Sequence, residues 1–161
     1  MNNLTLGYKN LLFTSTGDNT NFDSLWVNNN MTYDIFVIYY GDNNDIFNKY
    51  KSKVTFIEKR KGSKFQNFKY FYDKYKTTIE IYERFFILDE NIVFDVDDIN
   101  KMFEISREYN FDICGPSFSN DSNISYGITK HKKDVFLSYT NFVEVNVPLF
   151  NKTALDKLMN V

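Results

Sequence analysis

The sequence predicts an α/β fold in which a mixed, mainly parallel sheet is flanked by helices. Short runs rich in β-branched and aromatic residues alternate with segments whose apolar residues recur at helical spacing. Alternation of that kind builds a mainly parallel sheet covered on both faces. No repeat or linker divides the 161 residues, a length suited to one domain with a real core.

In chain order, residues 10–14 (NLLFT) read as a buried strand, and Thr16-Gly17-Asp18-Asn19 is turn chemistry able to open a helix. Phe22, Leu25 and Trp26 give that helix its spacing. Residues 33–40 (YDIFVIYY) form a strand stopped by Gly41-Asp42-Asn43-Asn44. A short helix through Phe47 and Tyr50 leads to a third strand at residues 54–57. Ser63 suits the N-cap of the next helix, whose stripe is Phe65, Phe68, Tyr72 and Tyr75. Lys64, Lys69 and Asp73 fall on its other faces. A fourth strand, residues 84–88 (RFFIL), ends at Asp89-Glu90-Asn91. Ile99, Met102, Phe103 and Ile105 mark a helix capped near Asp97. Residues 111–114 and 142–147 read as strands, and a last helix starts at residue 153.

The net charge of −2, from 19 basic and 21 acidic residues, argues against broad binding to a nucleic-acid backbone, which needs a concentrated basic surface. A single cysteine rules out an internal disulfide, and Cys114 within an apolar run reads as a packing residue. Met1-Asn2-Asn3 carries no charged-then-apolar leader, and no apolar run approaches the ~20 residues of a membrane span. A cytoplasmic location with no membrane span is therefore expected. The 17 Phe, 12 Tyr and abundant Asn, with few Gly and Pro, reflect drift toward AT-rich codons. Most of the aromatics are then core residues, and sequons such as Asn3-Leu4-Thr5 and Asn120-Asp121-Ser122 are by-products of Asn abundance.

Three segments carry chemistry. Leu88-Asp89-Glu90-Asn91 follows a buried strand, and its oxygen-bearing side chains suit Mg²⁺ or Mn²⁺ shared with substrate phosphates; it also fits a polar turn leaving a strand. Arg60-Lys61-Gly62-Ser63-Lys64-Phe65-Gln66 is a basic loop opening a helix, where backbone N–H groups and the helix dipole favour a diphosphate; it equally fits a solvated basic turn. Thr14-Ser15-Thr16-Gly17-Asp18 offers hydroxyls and a turn to a nucleoside. His131, the single histidine, sits in a solvated Lys130-His131-Lys132-Lys133 run. One His and one Cys argue against a His/Cys metal cage, and no GxSxG or GxGxxG turn is present.

Taken in order, six segments resemble the GT-A-type glycosyltransferases, and within them the small capsid-glycosylating enzymes of the chlorella virus and giant virus kind. They are Phe13-Thr14-Ser15-Thr16-Gly17, Val37-Ile38-Tyr39-Tyr40-Gly41, Lys61-Gly62-Ser63-Lys64-Phe65-Gln66-Asn67, Phe86-Ile87-Leu88-Asp89-Glu90-Asn91-Ile92-Val93-Phe94, Asp112-Ile113-Cys114-Gly115-Pro116-Ser117-Phe118-Ser119 and Phe142-Val143-Glu144-Val145-Asn146-Val147-Pro148-Leu149-Phe150. The resemblance implies a GT-A-like, Rossmann-like sheet and a viral, metal-dependent hexosyltransferase using a nucleotide sugar, a UDP-sugar first, and a glycan or protein acceptor. It implies that Thr14, Thr16, Gly17, Asp42, Lys64, Gln66 and Glu90 bind the nucleotide sugar. Asp89 and Asn91 stand where the family carries its acidic metal motif, commonly Asp-x-Asp, so Mn²⁺ or Mg²⁺ is the implied cofactor. Glu144, and Asp121 within the 116–125 stretch, are the implied catalytic carboxylates bordering the sugar and acceptor.

Two departures stand out. Asn91 replaces the usual Asp and lowers metal affinity. Similar proteins also continue past the Glu144 segment with a Trp-Gly-x-Asp stretch, whereas the one Trp here is Trp26 and the sequence ends at Val161. A single domain with a complete donor half and a short acceptor part is expected. A rival reading is a non-catalytic nucleotide-sugar-binding relic or interaction domain. Another is a flavodoxin-like phosphoacceptor at Asp89, disfavoured by the lateness of that strand.

Overall fold

The central strand of the computed structural model is β1 (Asn10–Thr16), every residue of which is buried. The structure describes residues 7–161, so Met1-Asn2-Asn3 and the Asn3-Leu4-Thr5 sequon lie outside the described residues. Helix α1 (Phe22–Leu25) follows, then β2 (Asp34–Tyr39), α2 (Asn44–Lys51) and β3 (Phe56–Lys59). Next come α3 (Lys64–Lys74), α4 (Lys76–Ile79), β4 (Arg84–Asp89) and α5 (Val96–Glu108). The chain closes with β5 (Ile113–Cys114), a 3-10 turn at Gly127–Thr129, β6 (Leu149–Asn151) and α6 (Lys152–Met159). Among the described residues no helix is long and apolar enough to cross a membrane.

The predicted α/β class holds. One six-stranded sheet runs in the order β3-β2-β1-β4-β6-β5. The pairs β1–β2, β1–β4 and β2–β3 are parallel, while β4–β6 and β5–β6 are antiparallel. Side chains alternate across a strand, which divides the core into two layers. Leu12, Val37, Phe86 and Leu88 pack on Phe22, Trp26, Tyr50, Ile99 and Phe103, beneath α1, α2 and α5. Leu11, Phe13, Phe36 and Ile87 pack on Phe68, Phe71, Ile79 and Leu155, beneath α3, α4 and α6. Phe13 meets Phe68 edge to face and stacks on Phe71, which meets Phe36 edge to face, so most of the aromatic excess fills the core.

Local corrections follow from identifiable chemistry. The third strand starts at Phe56, because Lys53 N–H closes a turn onto the Tyr50 carbonyl. The cap of α5 is Asp95 and not Asp97: its carboxylate accepts the Asp98 N–H at 2.8 Å, which brings buried Val96 into the first turn. Residues 142–147 are not a strand. Val147 N–H turns back to the Glu144 carbonyl at 3.2 Å, and Pro148 has no N–H to give a ladder. The carbonyls of Asn146 and Pro148 still accept from Asp89 N–H (2.9 Å) and Ile87 N–H (3.0 Å), so this segment is laid along β4 by acceptors alone. Cys114 is half-buried, and burial pushes its thiol up to about 11.

Candidate functional site

The chain leaves β1 toward β2 and β3 on one side and later returns as β4 on the other. In open α/β sheets ligands bind beyond the carboxyl ends of strands at such a reversal. Here the residues at and just past the carboxyl ends of β1, β2 and β4 are Thr16-Gly17, Tyr40 and Asp89-Glu90-Asn91. The last three open a turn, with Ile92 N–H bonded to the Asp89 carbonyl at 3.2 Å.

Glu90 closes this crevice. One carboxylate oxygen accepts the Gly17 N–H at 2.6 Å and the Thr16 hydroxyl at 2.8 Å; the other accepts the Tyr40 hydroxyl. The hydrogen bond to Glu90, followed by burial, pushes the Tyr40 phenol up to about 12. Gly17 is required by close approach, since a Cβ there would lie 2.8 Å from Tyr40 Cε2. The Glu90 carbonyl accepts from Asn21 N–H and the Thr20 hydroxyl, and Asn91's carbonyl from the Asn21 side chain. The turn after β4 is thus stitched to the turn after β1.

Beside this clasp stands Lys64, in the first turn of α3. Its ammonium lies 2.7 Å from an Asp89 carboxylate oxygen, 2.7 Å from the Val145 carbonyl and 3.1 Å from that of Asn146. Burial lowers its pKa, opposed by the hydrogen bond and charge of Asp89 and by the charge of Glu144. Glu144 is itself buried. Lys64 therefore ties the end of β4 to the 144–147 turn. The loop before α3 is held from below by Asn67, which is fully buried. Its amide donates to the Ser15 hydroxyl at 2.6 Å and the Gly62 carbonyl at 3.1 Å, and its oxygen accepts from Arg60. Gly62 has φ +153°, a backbone state that glycine adopts without cost.

Of the sequence-predicted residues, the fold brings Thr16, Gly17, Lys64, Asp89 and Glu90 together, with Asn91 next to them and Glu144 within electrostatic reach of Lys64. The others are occupied elsewhere. Thr14 is enclosed in β1 with its hydroxyl unpartnered among the described residues. Gln66 accepts the Ser63 N–H at 3.0 Å and so belongs to the helix cap. Exposed Asp42 pairs with Lys61 at 2.8 Å. Asp121 lies in an exposed turn, where the Ser119 hydroxyl holds its carboxyl below the ordinary value. His131 is exposed, with Nδ1 3.1 Å from the Ser117 hydroxyl. Sequence reasoning gave no role to Tyr40 or Asn67, while Ser15 fell within the stretch expected at the nucleoside; the available signal for Tyr40 was its position just past the end of β2.

Two cavities lie on the far side of the 144–147 turn, and neither is lined by Thr16, Gly17, Lys64, Asp89 or Glu90. One of about 370 Å³ lies between α5 and the irregular 115–144 segment, bordered by Gly115, Pro116, Ser117 and Glu144. The other, about 790 Å³, opens between the start of α3 and the end of α6, walled by Phe65, Phe142, Val145, Phe150 and Met159. Among the described residues no three His, Cys, Asp or Glu side chains gather as a metal-holding group. Asp89 and Asn91 leave one unpaired carboxylate oxygen and one amide as hard ligands, a set that fits Mg²⁺ or Mn²⁺ only when substrate oxygens complete it. No protein-family model matches the chain, and no curated protein matches it.

Proposed function

We propose that this chain is a GT-A-type glycosyltransferase that takes a hexose from a nucleotide sugar, a UDP-sugar first, to a glycan or protein acceptor. The observation that carries the reading is the Asp89–Lys64 pair beside the Glu90 clasp, at the strand reversal where α/β sheets take nucleotides. The nucleoside would lie against Thr16, Gly17 and Tyr40. Lys64 would exchange a carbonyl for a phosphate oxygen and so offset diphosphate charge. Asp89, assisted by Asn91, would hold Mn²⁺ or Mg²⁺, which neutralises charge on a departing nucleoside diphosphate. Glu144 would face the sugar as the catalytic carboxylate. The acceptor would enter by the cavity bordered by Pro116 and Glu144.

A second reading, nucleotide-sugar binding without transfer, is favoured by one observation: Lys64 and Glu90 are already fully engaged by protein partners. The test is release of UDP from UDP-glucose in the presence of Mn²⁺ and a panel of glycan acceptors. Transfer predicts release that Asp89→Ala and Glu144→Gln abolish. Binding with no release under any acceptor supports the second reading.

A further inference from the structure

The 130–139 segment is irregular in backbone and exposed along nearly its whole length. It begins with the basic run Lys130-His131-Lys132-Lys133, contains one carboxylate, Asp134, and continues into Val135-Phe136-Leu137-Ser138-Tyr139. Its rings stand out of the protein: Phe136 is 71% exposed and Tyr139 84%. They are not scattered. Phe136 leans on Tyr109 at 6.3 Å, Tyr139 meets Phe111 edge-on at 6.0 Å, and Tyr109 stacks on Phe111. Four aromatic side chains therefore form one cluster, with Tyr109, Phe136 and Tyr139 exposed and Phe111 half-buried; the 130–139 segment brings three lysines to it in sequence, against the exposed Glu108 and Asp112 on its other side, in a chain whose net charge is −2.

We infer that this surface docks on an anionic lipid membrane. A contiguous exposed apolar patch marks an interaction site. Its composition selects the occupant. Protein–protein interfaces are depleted in lysine, whereas segments at a membrane surface combine aromatic rings at headgroup depth with lysines paired to anionic lipid. Phe136 and Tyr139 would enter the headgroup layer while Lys130, Lys132 and Lys133 meet the phosphates. Val135, Phe136 and Tyr139 also line the 370 Å³ cavity next to Glu144, so docking turns that cavity toward the lipid surface. The inference is independent of the transferase reading.

The experiment is co-sedimentation of the full chain with phosphatidylcholine vesicles and with vesicles of phosphatidylcholine plus phosphatidylserine, at low and high salt. The chain is expected to pellet with the anionic vesicles only, and less so at high salt. Phe136→Ser with Tyr139→Ser should lower the partition at least tenfold. Lys132→Gln or Lys133→Gln should each lower it roughly fivefold. Both pairs lie on exposed side chains, and unchanged thermal melts will verify folding. The inference is overturned by three results: no pelleting above a vesicle-free control, pelleting that ignores the Phe136 and Tyr139 changes, or a dimer in sedimentation equilibrium that those changes dissociate.

Discussion

Replacing Lys64 with methionine keeps the aliphatic stem and deletes the ammonium that joins α3, β4 and the 144–147 turn. The side chain of Lys64 is 11% exposed and that of Asp89 35%. The loss is therefore smaller than the ~3–5 kcal/mol of a broken buried pair and larger than the ~0–1 kcal/mol of a surface pair. The exposed Val145 carbonyl regains water, while the half-buried Asn146 carbonyl regains it only in part. A net cost of about 2 kcal/mol follows, within the range for hydrogen bonds to charged groups. In a chain of this length that lowers Tm by roughly 4–8 °C. The assay is thermal and urea unfolding, with limited proteolysis across residues 134–147. The urea midpoint should fall with an unchanged slope, and cleavage in that segment should speed up. A Tm within about 1 °C of the parent, with unchanged cleavage, would show that Lys64 does not hold this segment and would refute the reasoning.

Three further outcomes can be checked. Gly17→Ala puts a Cβ 2.8 Å from the Tyr40 ring, so the Tyr40–Glu90 bond should break and the phenol's pKa should fall from about 12 toward its ordinary 10.0, read by NMR of labelled tyrosine. Phe71→Ala empties a fully buried site against Phe13 and Phe36 and should cost about 3–5 kcal/mol in urea unfolding; a loss under about 1 kcal/mol contradicts the packing. Burial pushes Asp23 and Glu58 up, but Lys49 and Lys53 beside Asp23, and Lys74, Tyr70 and Tyr75 around Glu58, outweigh it and hold both carboxyls below their ordinary 3.8 and 4.5. Their stabilisation is therefore complete above the ordinary carboxylate range and is lost as pH falls through their folded values. Urea midpoints should drop on acidification, and Asp23→Asn with Glu58→Gln should flatten that drop.

The elements legible in the sequence were those fixed by local chemistry. The YDIFVIYY run, the RFFIL run and the Ser63 start of α3 all needed only apolar patterning and a cap. Residues 142–147 misled because alternation alone cannot see that Pro148 lacks an N–H or that Glu144 and Val147 close a turn. The site was legible as a neighbourhood, since strand ends place Thr16, Gly17, Asp89 and Glu90 together in any sheet of this order. Their partners were not. Lys64 reads in sequence as a charge at a helix start, an anion position. Its contacts with carbonyls 81 and 82 residues away arise only from the folded chain. Glu90 likewise reads as one acid of a metal motif, whereas its hydrogen bonds to Thr16, Gly17 and Tyr40 depend on the β1–β4 pairing.

The most direct test of the account is calorimetric titration of the chain with UDP-glucose, UDP and GDP, each with and without Mn²⁺. The account predicts uridine nucleotide binding that requires the metal and disappears in Asp89→Ala. Absence of nucleotide binding under every condition, or binding that Asp89→Ala leaves unchanged, would contradict the placement of a donor site between β1 and β4.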